Sequence, residues 1–214
     1  MSSTETDEAP DEPLVAAATA VAQVCHDHDW GYCFVGGLAV RRWGRPRPVE
    51  DVDLVILTGY GAEARVADGL FARFAARADD SREIALARRV VQMWATNGVS
   101  VDVALGTSRG LLRMLRRASW WEVGEARLLT CGAEDLIVKK ALSDRERDWI
   151  DLAGIVARQG DRLDRDLILR EFGPVRGQGH HLGDPLSWIR HRDTGEAVDR
   201  LRKLLGIGDR EAAR

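Results

Sequence analysis

Asp51 and Asp53 stand two residues apart at the head of an apolar run, Leu54-Val55-Ile56-Leu57. Such a run reads as a strand, whose side chains alternate faces, so the two aspartates point one way and Val52 the other. Two carboxylates on one face repel each other unless a cation sits between them, and hard oxygen donors suit Mg²⁺. Upstream, Phe34-Val35 runs into Gly36-Gly37 and a short helix-like segment. Glycines there allow close backbone approach, and amides at a helix N-terminus suit a nucleotide's phosphates. The order of apolar strand, glycine pair, short helix and acid-headed strand joins a turn suited to phosphates to a pair of acids suited to a metal ion.

A third acid follows. Val90 to Trp94 is a β-type run, Asn97-Gly98 is a favoured two-residue hairpin turn, and the second arm spans 99–105. Val99, Val101, Val103 and Leu105 share its apolar face, and Asp102 lies on the other. If this arm pairs beside the Asp51/Asp53 strand, three carboxylates converge, enough for two divalent ions and an in-line phosphoryl or nucleotidyl displacement. A lone Asp-x-Asp is most often surface polarity. Dehalogenase-like phosphatases and many glycosyltransferases also use it, but they place the acids after an apolar strand. Here the strand follows, and Arg45-Pro46-Arg47-Pro48 precedes.

The Gly-Gly, Asp-x-Asp and third Asp resemble the nucleotidyltransferase superfamily, and within it the AbiEii-type branch, which includes toxins of type IV toxin–antitoxin systems. The segment over 132–155 extends the resemblance with Glu134 to Ile137, Lys140, Arg145, Arg147, Asp148 and Asp151. The resemblance covers roughly residues 14–160. It implies an α+β fold, a nucleotidyltransferase-like mixed sheet flanked by helices and followed by a helical C-terminal part. It also implies catalytic roles for Asp51, Asp53, Asp102, Lys140 and Asp148. The three strand acids would hold two Mg²⁺ ions, and Gly36, Gly37, Arg47 and Lys140 would bind the NTP. Gly37 departs from the Ser common at its position, so only backbone contacts are expected there. Lys139 is the rival to Lys140 if the register slips by one. The implied reaction moves an NMP from an NTP to an acceptor hydroxyl. A tRNA 3′ end is the favoured acceptor, a protein hydroxyl the next, and a cognate antitoxin the expected partner. Aminoglycoside-type antibiotic transfer, or a non-catalytic nucleotide-binding module, are the alternatives.

Composition fits a small cytoplasmic enzyme. The chain has 214 residues, 45% apolar, enough for a real core. No signal peptide or eighteen-residue apolar run appears, so no membrane role is expected. Cys25, Cys33 and Cys131, an odd number in apolar settings, fit a reducing compartment. The net charge of −3 arises from an acidic start: five acids and no base fall in residues 1–13. Twenty-eight of the 31 basic residues are arginine. Two groups, Arg41, Arg42, Arg45 and Arg47, then Arg109, Arg113, Arg116 and Arg117, are placed to meet phosphates or RNA, or to form solvated helix faces. His26 and His28 beside Cys25 lack a second cluster with zinc-ligand spacing, and His180-His181 falls in a Gly-rich loop.

The pattern predicts a disordered acidic tail over 1–13, a catalytic domain over 14–131, a helical region over 132–205 and a flexible tail over 206–214. Helices are expected over 14–29, 38–43, 62–78 and 108–117, strands over 32–35 and 51–57, and hairpins over 90–105 and 120–129. The helical region should break at Gly160, Gly173-Pro174 and around Gly183-Asp184-Pro185.

Overall fold

The computed structural model describes residues 12–143, 145–175 and 194–207. The tail over 1–11, the His180-His181 stretch, the break at 183–185 and the end over 208–214 lie outside the described residues.

The elements in chain order are α1 (Glu12–Asp27), β1 (Tyr32–Phe34), α2 (Gly36–Trp43), β2 (Asp51–Leu57), α3 (Glu63–Phe71), β3 (Ala75–Ala76), α4 (Ser81–Arg88), β4 (Val90–Trp94) and β5 (Ser100–Gly106). They continue with α5 (Arg109–Arg117), β6 (Ser119–Val123), β7 (Ala126–Thr130), α6 (Ala133–Ala141), α7 (Glu146–Gln159), α8 (Arg165–Val175) and α9 (Thr194–Leu204). Helix α1 starts two residues before the expected position, with Pro13 in its first turn, where a missing N–H leaves no bond unmade. Helix α8 runs through Gly173-Pro174 instead of breaking there.

Seven strands form one mixed sheet in the order β3-β4-β5-β2-β1-β7-β6. The acid-headed strand β2 is central, antiparallel to β1 and parallel to β5 over its whole length. The β4/β5 and β6/β7 hairpins form as the sequence predicts. Strict alternation divides the residues between two faces. Val52, Leu54 and Ile56 join Val101, Val103 and Leu105 in a core with α1 and α3. Val55 and Ala104 join the opposite core, with residues of α2, α6, α7, α8 and α9. Leu136 and Ile137 seat α6 on that face with no exposure, and each such side chain contributes roughly 1.5–3 kcal/mol. Asp51, Asp53 and Asp102 have the parity of Val55 and Ala104, so they face the C-terminal helices.

One prediction fails in detail. The helix expected over 62–78 ends at Phe71, and Ala75–Ala76 instead pairs with Met93 and Trp94 as an edge strand. The alanine-rich stretch favours helix locally, but tertiary context overrides it. Pairing satisfies the outer edge of β4, and Phe74 enters the core. Helix α4 follows, unanticipated from the sequence, and ends at Arg89 in the left-handed conformation (φ 56°). The buried Arg89 donates to the Leu105 and Gly59 carbonyls and pairs with Glu63.

Among the described residues no helix is long and apolar enough to cross a membrane.

Candidate active site

Parallel pairing of β2 with β5 sets Asp53 directly beside Asp102, at a strand spacing of roughly 4.8 Å. Asp51 lies one pleat further along the same face. All three line a cavity of about 540 Å³, which also takes in Val35 and Gly36, Ile84 and Arg88, Gln92, and Leu136, Lys139, Lys140, Ser143, Arg145 and Asp148. The strand acids occupy its sheet side. Helix α6 and the turn into α7 supply the opposite wall.

Gly36 explains why the chain needs glycine there. Its φ is +56°, and a Cβ would come 1.9 Å from Asp53 Oδ2 and 2.6 Å from Asp53 Cβ. The Val35 amide donates to the Asp53 carbonyl at 2.9 Å, locking the turn to the strand. Gly37 faces away from the cavity, where a Cβ would strike Val49 Cγ1 at 2.5 Å. The two glycines thus serve different neighbours: the first admits the Asp53 carboxylate, the second admits the loop before β2.

Burial, then the neighbouring charge of Asp51, pushes the half-buried Asp53 carboxyl up to about 6, with Asp102 adding to the rise and Lys139 and Lys140 opposing it. The raised value fixes the sign of a linkage. The neutral form of Asp53 is favoured by the fold, so its contribution to stability is full below about pH 4 and is lost as pH rises through about 6. Asp53→Asn is therefore expected to melt higher than the parent protein at pH 7–8 without added metal, with the gap closing toward pH 4. Equal melting temperatures across that range would contradict a strained carboxylate.

Asp102 has a partner that the sequence did not reveal. Arg77, just beyond β3, places Nη2 2.6 Å from Asp102 Oδ1 and also donates to Ser100 Oγ, while Gln92 Nε2 lies 3.4 Å from the same Asp102 oxygen. The guanidinium leans over Trp94, 5.4 Å from the ring centre.

The residues assigned from the C-terminal segment divide. Lys140 is buried and donates to Asp148 Oδ1 at 2.7 Å and Asp151 Oδ2 at 2.8 Å. Asp148 Oδ2 also accepts from Ser143 at 2.6 Å and Arg145 at 2.7 Å. Arg47, expected at the nucleotide, donates from Nε and Nη2 to the two oxygens of Asp151 at 2.8 and 2.9 Å and does not line the cavity. Burial alone would raise Asp148 and Asp151, but the surrounding cations outweigh it and hold both carboxyls below the usual range. Lys139 lies a step of 100° round the helix, within the cavity lining.

Several of the grouped arginines bind other parts of the protein. Arg42 donates to the Ser119 and Trp120 carbonyls and to Thr130. Arg113 and Arg117 bind Glu171, and Arg117 also binds Asp135. The arginines that do line the cavity are Arg88 and Arg145. Arg88 belongs to the unforeseen helix α4, and Arg145 carried no assigned role in the sequence reading.

Donor chemistry decides whether a divalent cation fits. The cavity offers carboxylates and neither sulfur nor imidazole, the set that Mg²⁺ prefers, and Asp53 carries a charge that burial and Asp51 disfavour. Among the described residues, no three His, Cys, Asp or Glu side chains are gathered tightly enough to hold an ion unaided. Arg77 already neutralises Asp102, so an ion there must share that carboxylate or replace the guanidinium.

No family model matches the chain, and no curated protein matches it. Solved structures do. The crystal structure of an antigenic nucleotidyltransferase-like protein from Paracoccidioides brasiliensis superposes with a TM-score of 0.51 at 14% identity, over 91% of this chain and 89% of that one. The lincomycin-bound lincosamide antibiotic adenylyltransferase LnuA gives 0.44 at 10% identity, over 69% and 98% of the two chains. The solution structure of the antibiotic-resistance factor ANT(2'')-Ia gives 0.47 at 10%, over 76% and 90%. The first of these likenesses, with the seven-stranded mixed sheet and its flanking helices, shows that the chain has a nucleotidyltransferase-like fold.

Proposed function

We propose that the protein is a Mg²⁺-dependent nucleotidyltransferase that moves an NMP from an NTP to an acceptor hydroxyl. One observation carries the reading: three carboxylates from two parallel strands face one cavity, with Gly36 pressed against the middle acid. Asp51 and Asp53 would hold magnesium, and Asp102 would complete a second position. When bound, the metal neutralises triphosphate charge and favours in-line displacement at the α-phosphorus. The acceptor oxygen forms the new bond to that phosphorus, the bond to the β-phosphate bridging oxygen breaks, and pyrophosphate leaves. Asp102, once released from Arg77, would accept the hydroxyl proton. The start of α2 and Gly36 face the phosphates with backbone amides.

The AbiEii-type resemblance makes a tRNA 3′ end the first acceptor to try, in a toxin–antitoxin-like role restrained by a partner protein. The test offers each labelled ribonucleoside triphosphate with Mg²⁺ to total tRNA, to cell protein and to aminoglycosides. Metal-dependent labelling of one acceptor class, with release of pyrophosphate, is the expected result. If the protein neither labels any acceptor nor binds any triphosphate, the enzymatic reading is wrong.

A further inference from the structure

We infer that Lys139, and not Lys140, is the residue whose ammonium meets the nucleotide's phosphates; this rests on the nucleotidyl-transfer reading of the cavity. The two lysines are adjacent on α6, so their side chains leave the helix about 100° apart. One cannot replace the other without rotating the helix, and Leu136 and Ile137 fix that rotation in the core.

Lys140 is committed elsewhere. Its ammonium bridges Asp148 and Asp151, both about as buried as the lysine itself. Those two acids meet three cations, Lys140, Arg47 and Arg145, so each carboxylate is held from two sides. Swinging Lys140 toward a phosphate would strip a buried cation from two buried carboxylates, an arrangement that proteins tolerate poorly. The network instead ties α6 to α7 and to the loop that delivers β2.

Lys139 has the complementary setting. Both lysines line the cavity with Asp53, but the ammonium of Lys140 is bound to Asp148 and Asp151, whereas Asp53 is the largest opposite charge acting on Lys139. A divalent ion held by Asp53 would take up part of the charge that now faces Lys139, in a space that the lysine lines. A triphosphate lying across the acids brings another anion there. The lysine would thereby act as the counter-charge that passes from carboxylate to substrate.

The probe is inorganic tripolyphosphate with MgCl₂, which removes any dependence on the nucleotide base. Calorimetric affinity is measured on the full chain for the parent protein and for Lys139→Met, Lys139→Arg and Lys140→Met, each well below its melting temperature. Lys139→Met is expected to weaken binding roughly 10- to 100-fold, and to flatten the dependence of affinity on ionic strength. Lys139→Arg, which keeps the charge, should stay within about threefold of the parent and serves as the readout if the methionine variant fails to fold. Unchanged affinity and unchanged salt dependence in Lys139→Met would overturn the assignment. So would a larger loss in folded Lys140→Met than in Lys139→Met. If the parent protein binds neither tripolyphosphate nor any NTP, the cavity's nucleotide reading falls and takes this assignment with it. Binding by the parent with an indifferent Lys139→Met defeats the lysine assignment alone.

Discussion

Asp53→Ala is expected to reduce metal-dependent transfer at least 10³-fold while leaving the protein folded. Several kcal/mol of transition-state stabilisation come from a properly held catalytic ion, and each 1.36 kcal/mol is a factor of ten in rate. Asp53 is the acid best placed to matter: it sits between Asp51 on its own strand and Asp102 across the ladder, with Gly36 against its carboxylate. The fold should survive because the side chain is strained by burial and by Asp51, so its removal relieves repulsion. Pyrophosphate release and melting temperature, measured on one preparation, separate the two effects. A variant that is well folded and still transfers at a tenth of the parent rate would remove Asp53 from the machinery. Asp102→Ala is a weaker instance, because it also frees Arg77, which then becomes a cation without its acid beside the site.

Much of this arrangement is visible in the residues before any folding. Alternation along Asp51–Leu57 and Ser100–Gly106 marks which face each aspartate takes, and Asn97-Gly98 fixes the hairpin. These are local signals of period two and turn chemistry. Pairing of β2 with β5 joins residues 49 apart in the chain, so the sequence supplies only the condition that three acids meet if those strands are neighbours. The structure makes those strands neighbours. Arg77 was invisible for a related reason: its segment has the composition of a helix, and only the unpaired edge of β4 draws it into the sheet. Arg47 and Lys140 pose a different problem. A cation near acids and glycines looks the same whether its anion is a substrate or another side chain. The distinction depends on α7 folding back onto α6 to bring Asp148 and Asp151 within reach. Adjacent lysines on one helix carry no internal mark of which one the acids of the next helix will bind.

Lys140→Met should cost about 3 kcal/mol of stability, the lower end of the range for breaking a buried ion pair. The lower end applies because Asp148 keeps Ser143 and Arg145, and Asp151 keeps both bonds from Arg47. For a chain of this length that corresponds to a fall in Tm of roughly 6–12 °C. The pH dependence has a definite sign. Asp148 and Asp151 have carboxyls lowered in the folded state, against the upward push of burial. Their contribution is therefore present above the unfolded carboxylate value near 4 and is lost as pH falls through the lower folded value. Methionine at 140 exposes the two charges to each other without their shared cation, so the penalty should be full at pH 7 and shrink as the acids protonate below about pH 4. Thermal melts of parent and variant from pH 3 to 8 measure this directly. A penalty that stays constant across the range would mean that lost packing, not charge, sets the cost. A variant that melts with the parent at pH 7 would show that the bridge between α6 and α7 contributes nothing, and would release Lys140 to act elsewhere.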